Sequence, residues 1–131
     1  MRKISDASML AVLVLLSGIV GLSWSAMAIS QTVSIHIDHR PPFFSPHTIS
    51  AVVGVVVRWE NRTREVHTIL ADDCLRRSKC SFESPMIEPG GTFQVPNLPA
   101  GDYAYHCGIH PFMRGVLVVK GKRLQIDSTD I

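Results

Sequence analysis

An all-β sandwich is the fold this sequence predicts, and three observations predict it. Residues 32–37 alternate apolar and polar side chains with a period of two, the mark of a half-buried strand, and residues 55–60 set Val55, Val57 and Trp59 on one face with Val56 and Arg58 on the other. Pro and Gly recur between such runs, so the extended pieces are short. After residue 29 no window carries a long apolar period of 3.6 residues, so no helix competes for the core.

Taken in order, the first two dozen residues stand apart from the fold. Arg2 and Lys3 give a positive start, residues 9–22 are apolar with small polar interruptions, and Ala26-Met27-Ala28 has small residues in an A-x-A pattern. That is the layout of a secretory leader, expected over residues 1–28. An uncleaved membrane anchor is the rival, because residues 9–29 approach the roughly 20 apolar residues a span needs; Ser17, Ser23 and Ser25 count against it. A single domain is expected over residues 29–121, followed by a polar tail over 122–131.

Within that domain, Val33, Ile35 and Ile37 share one face of the first strand, which ends at Arg40-Pro41-Pro42. Residues 48–53 and 55–60 are strands split by Gly54, the second with Val55, Val57 and Trp59 on one face. A charged turn, 61–65, leads to an extended run over 67–71. Residues 72–91 read as irregular, with Pro85, Pro89, Gly90 and Gly91. Strands follow over 92–95, 103–106 and 115–120. Short strands joined by turns suggest antiparallel pairing.

The chemistry concentrates between the last two strands. Cys107, His110 and Met113 place a thiolate, an imidazole and a thioether within seven residues, and His67 stands forty residues upstream. Two imidazoles, one thiolate and a weak axial methionine form the donor set of type 1 copper: imidazole suits both oxidation states, and soft sulfur favours Cu(I). Zinc sites favour paired Cys-x₂-Cys spacings without methionine, and no such cysteine pair is present. Haem attachment would need Cys-x-x-Cys-His, also absent. Of 13 basic and 11 acidic residues only Arg2, Lys3 and Asp6 fall in the leader, so the domain is near neutral and nucleic acid is not an expected partner. Three cysteines in an exported chain leave one over: Cys74 and Cys80 are expected to pair, freeing Cys107 for a metal. His106 should point away from Cys107, because neighbours alternate along a strand. His36, His39 and His47 read as surface residues, and Tyr103 and Tyr105 as core.

These residues resemble the cupredoxin family of blue copper proteins, and within it the amicyanin group. The stretch Tyr105-His106-Cys107-Gly108-Ile109-His110-Pro111-Phe112-Met113-Arg114-Gly115 carries the likeness, including the short two-residue gap between His110 and Met113. Trp59-Glu60-Asn61, Pro85-Met86 and Gly101-Asp102-Tyr103 extend it over most of residues 35–120. The resemblance implies a Greek-key β-sandwich of about eight strands that holds one copper ion through His67, Cys107, His110 and Met113. It implies a buried His67, and a His110 edge reaching the surface beside Pro111 and Phe112, where partners dock. Met86 is expected to help exclude water there. One departure is Thr68, where the family often carries an Asn that ties the ligand loops together. Its backbone N–H can still reach the Cys107 sulfur.

Two functional classes fit. One is a monomeric periplasmic carrier of single electrons, not an enzyme. By resemblance its donor would be a dehydrogenase and its acceptor a c-type cytochrome. The other is a copper-delivery or copper-storage protein of the same fold.

Overall fold

The computed structural model describes residues 30–76 and 79–122. The leader expected over 1–28 lies outside the described residues, as does nearly all of the tail expected over 122–131. Eight strands form among the described residues: β1 (Thr32–Ile37), β2 (Phe44–Ser45), β3 (Thr48–Val52), β4 (Val56–Asn61), β5 (Leu70–Ala71), β6 (Thr92–Val95), β7 (Gly101–His106) and β8 (Arg114–Lys120). A one-turn 3-10 helix, Asp72–Leu75, follows β5. The strands make two four-stranded sheets, ordered β2-β1-β4-β6 and β3-β8-β7-β5. The eight-stranded all-β architecture is the one expected.

Pairing direction departs from a purely antiparallel reading. β1 runs parallel to β4, from Thr32 opposite Val56 to Ile37 opposite Asn61. β3 runs parallel to β8, from Thr48 opposite Val116 to Val52 opposite Lys120. The remaining pairs are antiparallel. Apolar alternation reports which face of a strand is buried but carries no direction, so long crossovers leave no trace in it. The extended run at 67–71 is also shorter than expected. Only Leu70–Ala71 pairs with β7, while His67 makes an isolated bridge to Ile87. The 3-10 helix arises in the segment read as irregular, and β2 lies between the first two expected strands.

The expected faces are the buried ones. Ile35 and Ile37 from β1, and Val57 and Trp59 from β4, meet Tyr105 from β7 and Leu117 and Val119 from β8. Burying side chains of this size contributes roughly 1.5–3 kcal/mol each, and that holds the sheets together. Trp59 lies edge-to-face on Tyr105 (ring centroids 5.4 Å, 86°) and packs on Phe82 and Phe93 at 5.5 and 5.8 Å. Burial pushes the Tyr105 hydroxyl up to about 12, so it stays neutral. The ring fills the space beside Gly115, where a Cβ would meet it at 2.4 Å. No other residue fits there without displacing Tyr105, and Gly115 stands two residues beyond Met113.

One end of the sandwich gathers three connections: 38–43 between β1 and β2, 62–69 between β4 and β5, and 107–113 between β7 and β8. Side chains from all three line a single cavity there.

Candidate metal centre

Strand alternation aims Cys107 inward. On β7 and just beyond it, Tyr105 enters the core, His106 turns to the opposite face, and Cys107 returns to the interior with 0% exposure. The seven-residue connection then closes on itself. The Cys107 N–H donates to the Met113 carbonyl (3.0 Å), and the Met113 N–H donates to the His110 carbonyl (2.9 Å). Met113 is therefore drawn back beside Cys107 and is buried.

His67 arrives from the other sheet connection, fixed by two bonds to Ile87. Its N–H donates to the Ile87 carbonyl at 3.2 Å, and the Ile87 N–H donates back at 2.8 Å. Its ring is oriented by a buried polar chain. His67 Nε2 lies 2.9 Å from the Thr63 hydroxyl, and because that hydroxyl gives its one proton to Asn61 Oδ1 (2.8 Å), the ring nitrogen is the donor of the pair. The Asn61 amide donates to the carbonyls of Glu65 (2.7 Å) and Ile87 (2.9 Å). A ring that donates through Nε2 keeps its lone pair on Nδ1. That nitrogen lies 3.7 Å from Cys107 Sγ.

His110 completes the group, its Nδ1 3.9 Å from the same sulfur. The donor atoms of His67, Cys107 and His110 lie within 4.8 Å of one another. A metal with bonds of about 2.0–2.3 Å to nitrogen and sulfur, at trigonal or tetrahedral angles, spaces such donors roughly 3.5–3.8 Å apart. The observed spacing and donor types fit one first-row ion. Burial first, and then the neighbouring His110, hold the His67 pKa below its ordinary value. This favours the neutral imidazole that a metal needs.

The sulfur also accepts a hydrogen bond. The Thr68 N–H reaches Cys107 Sγ at 3.4 Å, as expected. The tether that an Asn would supply is made by the Thr68 hydroxyl, which accepts from the Gly108 N–H at 2.9 Å. A Cβ on Gly108 would stand 2.9 Å from that hydroxyl, so the approach requires glycine.

His67, Cys107 and Met113 are shut in, whereas His110 is partly exposed. It borders a cavity of about 120 Å³ lined also by Asp38, Glu65 and Met113. Phe112, 66% exposed, lies 6.0 Å from the His110 ring and packs edge-on against Phe43 at 5.3 Å. Ile109 and Met86 are exposed on the surface, and Met86 is too open (70%) to seal the site as expected. Cys74 and Cys80 form the expected disulfide, leaving Cys107 as the free cysteine. Among the described residues, His36, His39 and His47 join no group of metal-ligating type.

Sequence reasoning missed two supporting groups. The Asn61–Thr63 pair carried a faint signal: Asn61 Oδ1 accepts the Thr63 N–H (3.0 Å), the two-residue reach of an Asx turn. Asp72 carried none. It accepts from His106 and Arg114, which lie 34 and 42 residues away.

Comparison with known proteins agrees with this geometry. The sequence model of the family described as Cupredoxin-like domain matches residues 9–119. Amicyanin from Paracoccus denitrificans is 35% identical over 88 residues, which is 66% of this chain and 66% of that protein. Among solved structures, a purple cupredoxin from Nitrosopumilus maritimus superposes with a TM-score of 0.58 at 28% identity, covering 67% of this chain and 99% of that one. A methionine-to-alanine mutant of amicyanin, solved with Cu(I), gives 0.59 at 26% identity, covering 68% and 82%.

Proposed function

Since this chain belongs to the cupredoxin-like domain family, we propose that it carries single electrons through one copper ion held by His67, Cys107, His110 and Met113. The observation that carries this reading is the approach of two imidazole Nδ1 atoms, 3.7 and 3.9 Å away, to one buried cysteine sulfur. Copper supplies a one-electron couple when bound there. The protein's part is to keep the donors still. His67 is locked through Thr63, the Thr68 N–H stabilises negative charge on Cys107, and the closed 107–113 turn sets Met113 against Cys107. Donors that hold position in both oxidation states keep the reorganisation on electron transfer small. A delivery protein favours an exposed site that exchanges metal quickly, whereas three of these four residues are buried.

Electrons would pass at the exposed edge of His110. Pro111 and Phe112 flank it, with Ile109 exposed next to it in the chain, and an apolar surface of this kind suits weak, transient docking. We place the carrier in the periplasm as a monomer, with residues 1–28 as its leader. Its partners there are an electron donor such as a dehydrogenase and an acceptor such as a c-type cytochrome.

The test is to add one equivalent of Cu(II) to the purified protein and record visible absorption and EPR. An intense thiolate-to-copper band with narrow hyperfine splitting is expected. Cys107→Ser should lose the band while keeping its fold. A pale, ordinary Cu(II) spectrum from the parent, or a blue Cys107→Ser variant, would overturn the assignment.

A further inference from the structure

We propose that Asp72 is a positioning residue for the metal-binding loop, clamping both of its feet through one carboxylate; the proposal deepens the copper reading above and rests on it. His106 and Arg114 face each other as the last pair of the β7–β8 hairpin. One immediately precedes Cys107 and the other immediately follows Met113. Residues directly opposite in an antiparallel pair present their side chains on the same face. Asp72 bridges them from outside: Oδ1 accepts from His106 Nδ1 at 2.5 Å, and Oδ2 accepts from an Arg114 guanidinium nitrogen at 3.2 Å.

An ionised carboxylate only accepts, so the His106 ring proton sits on Nδ1. His106 is buried (6% exposed), so removing Asp72 orphans a buried donor as well as opening the clamp. The base from which Asp72 reaches is itself anchored. β5 places it beside β7, with Leu70 opposite His106 and Ala71 opposite Tyr105. The Cys74–Cys80 disulfide ties the 3-10 helix that begins at Asp72. Asp73 accepts from the Ser81 N–H (3.0 Å) and hydroxyl (2.5 Å), closing the same loop.

Backbone bonds close the loop at Cys107 and Met113, and Asp72 adds a side-chain closure one residue below them. The separation of the two sulfur ligands is thereby held by a backbone bond and, one residue below it, by a side-chain bridge. The Asp72 carboxylate bonds His106 and Arg114 and none of the candidate donors, so its action is through those two residues.

The experiment compares Asp72→Ala, Asp72→Asn and Asp72→Glu with the parent, all as full chains. In metal-free protein, amide hydrogen exchange at Cys107 and Met113 should quicken about tenfold in Asp72→Ala relative to the Trp59 amide, as one lost charge-assisted hydrogen bond implies. Asp72→Glu should recover part of that protection. In Cu(II)-loaded protein, the relative strengths of the thiolate-to-copper bands should change, and a chelator should remove copper about tenfold faster, the low end for loss of an outer ligand partner. Asp72→Asn, nearly isosteric, should show both effects in smaller measure, and it serves should the alanine variant fail to fold. Unchanged relative exchange together with an unchanged spectrum and extraction rate would overturn the clamp, whatever happened to overall stability. A parent lacking the charge-transfer band would instead overturn the copper reading, and the metal-free exchange comparison would then support or overturn the clamp by itself.

Discussion

Thr63 is the residue on which the orientation of His67 depends. Its hydroxyl accepts from His67 Nε2 and donates to Asn61, both buried, and accepts from the part-buried Glu65 N–H (3.1 Å). Thr63→Val keeps the shape but leaves these groups without their partner. It should destabilise the metal-free protein by about 1–3 kcal/mol, measured by denaturant unfolding. A loss below a few tenths would mean water replaces the hydroxyl. Met113 is tested differently, because its proposed role is electronic. A weak axial thioether tunes the copper couple, so Met113→Gln should retain one copper and lower the reduction potential in voltammetry. An unchanged potential would remove Met113 from the axial position.

At the scale of elements, the β7–β8 hairpin both builds the core and carries the ligand turn. Tyr105 and Gly115 lie opposite each other in it, and the ring of one occupies the space where the other lacks a side chain. Gly115→Ala should therefore cost about 1–3 kcal/mol through overpacking. It should also disturb the copper spectrum, because the strain falls two residues from Met113. A variant with parental stability and spectrum would show that Tyr105 can swing aside. The β4–β5 connection plays the complementary part. Its bridge between His67 and Ile87 brings a donor from far along the chain to within reach of Cys107.

For the whole molecule, the sandwich is a rigid frame with its chemistry at one end. Trp59 and Tyr105, both fully buried, join the two sheets through an edge-to-face contact, and Tyr105 stands two residues before Cys107. The Cys74–Cys80 disulfide lies to one side of it and closes a short loop, with a sequence separation of 6. Chain entropy assigns such a loop about 2 kcal/mol. The Cys74→Ser/Cys80→Ser double variant should unfold at lower denaturant by that amount while still binding copper, as followed by fluorescence and absorption. A variant that loses the thiolate band would show that the loop supports the ligand turn as well as the fold.

Much of this protein is legible from local pattern. The period-two runs at 32–37 and 55–60 identify the buried faces that Ile35, Ile37, Val57 and Trp59 occupy, because a strand's two faces alternate whatever it pairs with. Cys107, His110 and Met113 announce their chemistry because three donors in one seven-residue turn need no tertiary contact to be brought near one another. The tertiary structure alone decides the parallel pairing of β1 with β4 and of β3 with β8, since alternation has no direction. It alone shows which atom of His67 faces Cys107, that Thr68 replaces a longer side chain as the tether, and that Asp72 spans the feet of the ligand turn. The physical reason is separation along the chain. Contacts across 34 to 42 residues leave no period in the sequence, and they exist only once β5, β7 and β8 have paired in one sheet.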